Sequence, residues 1–427
     1  MSREFEGKKI LIMGGNPETV PLVEIAKSMG VRTIVVSARS EDPAKKAAWK
    51  SSDVDGMDVP GIVSLAQQEH VNGVMVGVAD ILVPYYCRVC DALNLPCYAT
   101  EKIVEVFSYK DIFKDTCEKF GIHGVPEFHL DQELHREDLE KIQYPVIVKP
   151  VDNGGGVGIS VANNETELKD AVSMAIKASH SGRFIVEKYM QCDDMGIYYT
   201  FKDGYCSASC VYDRYTTGEQ EGVSRVCLGG TYPSRHLSEY FDKMHRKAVN
   251  MFQAIGIKNG VLMLTAFYEN GEFYVYDTGF RLQGEACHLI MKAVHGFDQR
   301  ELLIRFALTG SEGNIDLKKE DDVHLRGKHA ATLWFLLREG VIGRIEGLEN
   351  CYEDPAVIYN GQRLYEGDIV LPEWIGNEKQ VLTRLILLCN TREDLKERLK
   401  YYQNTVHVYD QNGIDMLLKG FDVEQYG

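Results

Sequence analysis

Short apolar runs alternate with amphipathic stretches over the first hundred residues. KKILIMGG (8–15) is an apolar run ending in glycines, and a helical pattern follows it to about residue 30. RTIVVSA (32–38), GVMVG (73–77) and LPCYA (95–99) are three further apolar runs bounded by turn residues. Strands alternating with helices at this spacing predict a doubly wound parallel sheet, an α/β arrangement. Ligands of such sheets sit past the carboxyl ends of the strands, where Gly14, Gly15, Asn16 and Asp80 fall. The first turn reads GGNPETV and not GxGxxG, and Pro17 removes a backbone donor there. A nicotinamide enzyme is disfavoured on both counts.

The middle of the chain changes pattern. PVIVKP predicts a strand with Lys149 at its end, and ISVA (159–162) predicts another. Between them Asn153, Gly154, Gly155, Gly156, Val157 and Gly158 form a glycine-rich loop. A strand–loop–strand arrangement is no Walker A loop, which must open a helix, but its free N–H groups can fold over phosphates. RFIVEKYM (183–190) predicts a strand with Glu187 and Lys188 at its end, followed by Tyr189 and Met190. Its backbone can face an adenine edge, with Asp194, or Asp193 beside it, holding ribose hydroxyls. VLMLTAFY and EFYVYDTGF predict two strands, and Asn270-Gly271 between them is a strong hairpin signal. Asp277, Gly279 and Arg281 share one face by the period of two if the strand extends that far.

From about residue 328 the pattern is strand-rich, and LKERLKYYQNT predicts a late amphipathic helix with a charged outer face. The predicted boundaries are an N-terminal domain over 1–107, a central domain over 108–325 in lobes of about 118–190 and 191–325, and a small β-rich domain over 326–427.

Bulk properties narrow the function. The chain has 427 residues and a formal net charge of −16. That charge repels phosphate backbones, so no nucleic-acid partner is expected and bound phosphate must be met by a local basic pocket. No run of ~18 apolar residues occurs, so no membrane span is expected. The 11 cysteines lack framework spacing, and the N-terminus lacks a signal-peptide core, which together predict a reduced cytoplasmic protein.

In order and spacing these motifs resemble the ATP-grasp superfamily, with biotin carboxylase, the carbamoyl-phosphate synthase large chain, and phosphoribosylglycinamide and amino-acid ligases as the most similar patterns. The resemblance implies a two-lobed ATP-grasp domain between the N-terminal sheet and a β-rich C-terminal domain. It places Lys110, which opens the helix of SYKDIFKDTCEKFGI, and Lys149 on phosphate, residues 153–158 over the triphosphate, Glu187 to Met190 around adenine, and Asp194 on ribose. The family's first metal-binding Glu falls on Thr265, and its E-x-N-x-R run reads Asp277-Thr-Gly279-Phe-Arg281 here. Asp277 can still ligate magnesium, or manganese in its place, whereas Thr265 offers a neutral hydroxyl and Gly279 nothing. RLQGE resembles the R-x-Q-x-E run of biotin carboxylase, which carries Arg281 over as an acyl-phosphate or carboxylate clamp, with Gln283 and Glu285 as its companions.

The expected activity is an ATP-dependent ligase that turns a carboxylate or bicarbonate into an acyl phosphate and couples it to an amine, as a homodimer in some relatives. The rival expectation is an ATP-binding protein without turnover, motivated by Thr265 and Gly279.

Overall fold

The computed structural model describes residues 4–153, 157–218 and 225–426. Its N-terminal part is a parallel sheet of β1 (Lys9–Met13), β2 (Arg32–Val36), β3 (Lys50–Ser52) and β4 (Gly73–Val76), in the order β3-β2-β1-β4. Two details depart from the apolar pattern. Residues 95–99 form no strand. Pro96 cannot donate to a ladder, and the segment instead carries Tyr98 into the core, with its ring centroid 5.1 Å from Tyr86 and 5.4 Å from Phe280. Conversely, β3 has the polar sequence KSS and lies at the sheet edge, where no apolar signal marks it.

A second, antiparallel sheet holds β5 (Glu127–Phe128), β6 (Val146–Pro150), β7 (Ser160–Ala162) and β8 (Phe184–Lys188), in the order β5-β8-β6-β7. The helix Glu165–Ala178 packs on it through Leu168, Ala171, Val172 and Ala175. Asn164 caps that helix by accepting from the Glu167 N–H at 3.0 Å.

The largest sheet has eight strands. It begins with β9 (Asp193–Lys202), β10 (Tyr205–Thr216), β11 (Cys227–Tyr232), β12 (Gly260–Glu269) and β13 (Glu272–Gly279). The turn between the last two is Asn270-Gly271 as predicted, with φ of 54° and 83°, the left-handed pair that suits a tight hairpin. The C-terminal region supplies β14 (His329–Leu336), β15 (Gly340–Glu346), β16 (Val357–Asn360), β17 (Ile369–Val370), β18 (Val381–Cys389) and β19 (His407–Asp410). It is strand-rich with a late helix, Arg392–Thr405, as its pattern predicts. Its strands do not all form a sheet of their own, however. The order β13-β12-β9-β10-β11-β14-β18-β16 continues one sheet across residue 326, and only β15, β17 and β19 form a separate small sheet.

Register places the site. Asp277 pairs with Thr265, Thr265 with Gly196, and Gly196 with Tyr212, so these four form one row across β13, β12, β9 and β10. A neighbouring row runs Phe267, Asp194, Arg214, Gly230, Thr332, Ile386. Directly paired residues point to the same side of a sheet, so one face carries all of them. Two glycines on that face let Tyr212 lie flat. A Cβ on Gly196 would fall 2.0 Å from the Tyr212 ring, and one on Gly230 would fall 2.6 Å from it. The ring is stacked between Tyr198 at 5.7 Å and Tyr232 at 4.6 Å.

Among the described residues no helix is long and apolar enough to cross a membrane, and all 11 cysteines are free thiols. Gly196→Ala forces a methyl into the Tyr212 ring, and overpacking of this kind costs about 1–3 kcal/mol. Urea unfolding of the variant against the parent is expected to show a loss in that range.

Candidate active site

Three clusters of the predicted residues lie in one region, where the β6–β8 sheet faces β13. In the first, Lys149 ends β6 and pairs with Glu187 of β8 at 2.6 Å. The other Glu187 oxygen takes Lys114 at 2.7 Å, and Lys114 also pairs with Glu127 at 2.6 Å. Glu187 is 1% exposed, so a buried carboxylate bridges two buried ammonium groups. Burial alone would lower Lys114, but Glu187 and Glu127 outweigh it and hold the ammonium above its ordinary value. Lys114 was not singled out from sequence, although it lies four residues after Lys110 on one helix face, a spacing that marks it as a neighbour.

Lys110 opens the helix Lys110–Lys119 and reaches Asp277 at 3.1 Å, while also donating to the Asn153 carbonyl at 3.1 Å. Lys149 donates to the Tyr276 carbonyl at 3.4 Å. The two lysines therefore converge on adjacent residues of β13. The protein crowded around Asp277 would raise its carboxyl, but Lys110 and Lys149 more than offset that and hold it below the usual carboxylate range. Its side chain is 41% exposed to the cleft. Thr265 lies beside it, buried, and donates its hydroxyl to the Asp277 carbonyl at 3.1 Å. That hydroxyl is committed to the backbone, and Asp277 is the open carboxylate of the pair.

Gly154, Gly155 and Gly156 lie outside the described residues. Asn153 before them ties its side chain to the Ala178 carbonyl at 2.9 Å. After them, Val157 is exposed, and Gly158 has φ of 74°, with Ala178 only 2.4 Å from where a Cβ would sit. Of the hinge residues, Lys188 points outward to Glu269 at 3.2 Å, Arg225 covers the Tyr189 ring at 4.8 Å, and Met190 is buried.

The second cluster contains Asp194. Its oxygens accept from the Tyr276 hydroxyl at 2.9 Å and from Arg214 at 3.1 Å. Burial raises its carboxyl more than Arg214 and Tyr276 lower it. Arg214 continues to Glu285 at 3.3 Å, and the Tyr212 hydroxyl donates to the other Glu285 oxygen. Asp193 is taken by Arg235 and by His236 at 2.9 Å. Arg214, Tyr212 and Tyr276 carry no motif; only strand pairing brings them beside Asp194.

In the third cluster Arg281 pairs with Asp80, at the ligand end of the parallel sheet, and donates to the Leu282 carbonyl at 2.7 Å and to Gln283 at 2.9 Å. The strand ends at Gly279, so Arg281 lies just beyond it. Gly279 has its own reason here. A Cβ there would come within 2.8 Å of Asp80 and 3.0 Å of Gln283, so any larger residue would disturb the Asp80–Arg281 pair.

A lysine-rich cleft lies between the β6–β8 sheet and the long hairpin that carries Asp277. Residues 120–213 match the family model for the D-ala D-ala ligase C-terminus. In the solved L-amino acid ligase of Bacillus licheniformis, 95% of this chain and 100% of that one superpose with a TM-score of 0.77 at 18% identity. The chain has the ATP-grasp fold. The biotin carboxylase domain of 2-oxoglutarate carboxylase from Hydrogenobacter thermophilus, solved as a dimer with magnesium-ADP and bicarbonate, gives a TM-score of 0.72 at 17% identity, covering 96% of this chain and 91% of that one. By sequence, the small subunit of that carboxylase is 24% identical over 321 residues, 70% of this chain and 66% of its own length. These relatives are ATP-grasp ligases that form C–N bonds.

Two outcomes test this description of the ATP-grasp cleft. Glu187→Gln leaves Lys114 and Lys149 without their shared counter-charge, and breaking a buried pair costs about 3–5 kcal/mol; denaturant unfolding is expected to show a loss of that order. The Asp277 carboxyl is held below its free value, so its stabilising effect is complete above about pH 4. The effect is lost as the pH falls through the lowered value. Asp277→Asn should therefore flatten the acid limb of the stability–pH curve, read as urea midpoints between about pH 2 and 5.

Proposed function

We propose that this ATP-grasp protein is an ATP-dependent ligase. It activates a carboxylate, or bicarbonate, as an acyl phosphate and couples it to an amine, releasing ADP and phosphate. The observation that carries this reading is the convergence of Lys110 and Lys149 on Tyr276 and Asp277, beside Asn153. Phosphoryl transfer is governed by positioning and by stabilising charge on the transferring group. Two ammonium groups on one short strand segment supply that charge. They pair with Glu187 and Asp277, which keeps them buried at tolerable cost.

In this reading ATP is the substrate whose triphosphate lies under residues 153–158, with its adenine at Glu187 to Met190. The substrate carboxylate attacks the γ-phosphorus, and Lys110, Lys149 and Arg281 balance the charge that develops. Asp277 suits a hard divalent cation because it is an open carboxylate facing the cleft. Magnesium, or manganese in its place, would be held there with phosphate oxygens and would neutralise phosphate charge. Thr265 contributes through the backbone of Asp277. We extend the same reading to small-molecule acid and amine partners, a homodimeric assembly and a cytoplasmic setting. It is supported by the dimer and the magnesium-ADP of the carboxylase structure, by the free thiols and by the acidic net charge.

The test is phosphate release from ATP and magnesium across pools of amino acids and small carboxylic acids. One pool is expected to stimulate release. Lys110→Ala is expected to lower the stimulated rate about 10²–10³-fold, the cost of removing one preorganised charge donor. ATP binding by calorimetry with no stimulation by any pool would favour a nucleotide-binding protein instead.

A further inference from the structure

Beyond Glu285 the sheet face opens into a cavity of about 320 Å³. It lies between the N-terminal turn of residues 17–21, the start of the helix Cys287–His295, and strands β14 and β18. Its apolar wall is Val20, Pro21, Leu289, Trp334 and Ile386. Its three arginines are already paired, Arg300 with Asp298 at 2.8 Å. Arg363 pairs with Glu18, and Arg384 pairs with Glu378 at 2.7 Å while lying 3.8 Å over the Trp334 ring. His288, also in the wall, is pushed down to about 3 by burial and by the Arg300 charge, so it is neutral.

Glu285 borders this cavity, as does Glu18, which Arg363 takes. Each of its oxygens accepts one hydrogen bond, from Tyr212 and from Arg214. A carboxylate has about four acceptor positions, so both oxygens can take another donor. Ala286, next in the chain, has φ of 66° and ψ of 22°, a left-handed conformation that costs a Cβ-bearing residue about 1–2 kcal/mol. The turn thus holds Glu285 in place under strain. The Tyr212 ring that meets it is fixed by the two tyrosine stacks and by the space that Gly196 and Gly230 leave.

We propose that this cavity receives the amine partner of the ligation, a primary amine carried on an apolar body, and that Tyr212 is a positioning residue that holds Glu285 to take the amine's proton. The inference rests on the ligase reading above. A carboxylate in this place would face Glu285, and the three arginines that line the wall, Arg300, Arg363 and Arg384, are already paired with Asp298, Glu18 and Glu378, whereas an ammonium group finds an acceptor and its apolar body finds apolar walls. The arriving ammonium gives one proton to Glu285. The freed nitrogen lone pair forms the C–N bond at the acyl carbon, and the C–O bond to phosphate breaks, its electron pair leaving with phosphate. The remaining surplus proton on nitrogen passes to the departing phosphate.

The test uses the full chain with ATP, magnesium and the acid pool that stimulates phosphate release. Two nucleophile probes are compared: apolar primary amines (isobutylamine and phenethylamine), and hydroxylamine, which is largely unprotonated at neutral pH and traps acyl phosphate as hydroxamate. The parent is expected to form amide with the apolar amines. Tyr212→Phe keeps the ring and loses only the hydroxyl. It is expected to lower amide formation about tenfold or more while hydroxamate formation and the KM for ATP stay as in the parent. Glu285→Gln supplies a second variant: it should lower amide formation at least as far, and the double variant should fall no further, because Tyr212 acts through Glu285. Equal loss of amide and hydroxamate in Tyr212→Phe, no loss of either, or additive losses in the double variant would overturn the proposal. So would a parent that couples ammonia but not the apolar amines. If the parent makes no hydroxamate with any acid pool, the ligase reading itself fails, an outcome distinct from the others.

Discussion

Glu187 is a single carboxylate, 1% exposed, between two buried ammonium groups. Burying any of these charges alone would be costly, and the three are tolerable only together. The pairing sets the position of Lys149 at the end of β6 and ties the helix that carries Lys110 and Lys114 to the β6–β8 sheet. Lys110 is then delivered to Asp277 from the same helix. A cleft lined by buried ammonium groups must hold their charge against the cost of burial. This one stores it as ion pairs with the carboxylates of its own walls.

The second constraint is geometric. The central sheet carries its polar face in rows, from Asp277 and Thr265 on one side to Thr332 and Ile386 on the other. Glycines at 196 and 230 thin that face where Tyr212 must lie down, and the glycine at 279 leaves room for Asp80 and Arg281. Through Tyr276, Asp194, Arg214 and Glu285 the polar network runs without a break from the lysine cluster to the rim of the apolar cavity. The two ends are thus mounted on one sheet face. The Arg281–Asp80 pair joins that surface to the ligand end of the parallel sheet.

Much of this was legible along the chain. The apolar runs that became β1, β2 and β4 are continuous because buried parallel strands need apolar side chains on both faces. The Asn270-Gly271 turn was legible because only a few residues accept two successive left-handed conformations. Lys110, Lys149 and Asp277, which the resemblance singles out, do lie together in the structure. The segment at 95–99 misled because an apolar run with a proline can fill a core without entering a ladder. The polar edge strand β3 carried no signal, since an edge needs only one covered side.

The sequence by itself determined the class of fold, the strands β1, β2 and β4 and the turn of the long hairpin, because each depends on local periodicity or on residues close together in the chain. Tertiary structure alone decided which charges meet. Lys114 with Glu187, Arg214 between Asp194 and Glu285, and Asp80 with Arg281 join residues 20 to 201 positions apart. It also decided that the C-terminal strands extend the central sheet and wall the cavity beside Glu285. The physical reason is that hydrogen-bonded register and the pairing of buried charge are settled across strands, and spacing along one strand carries no record of its neighbour.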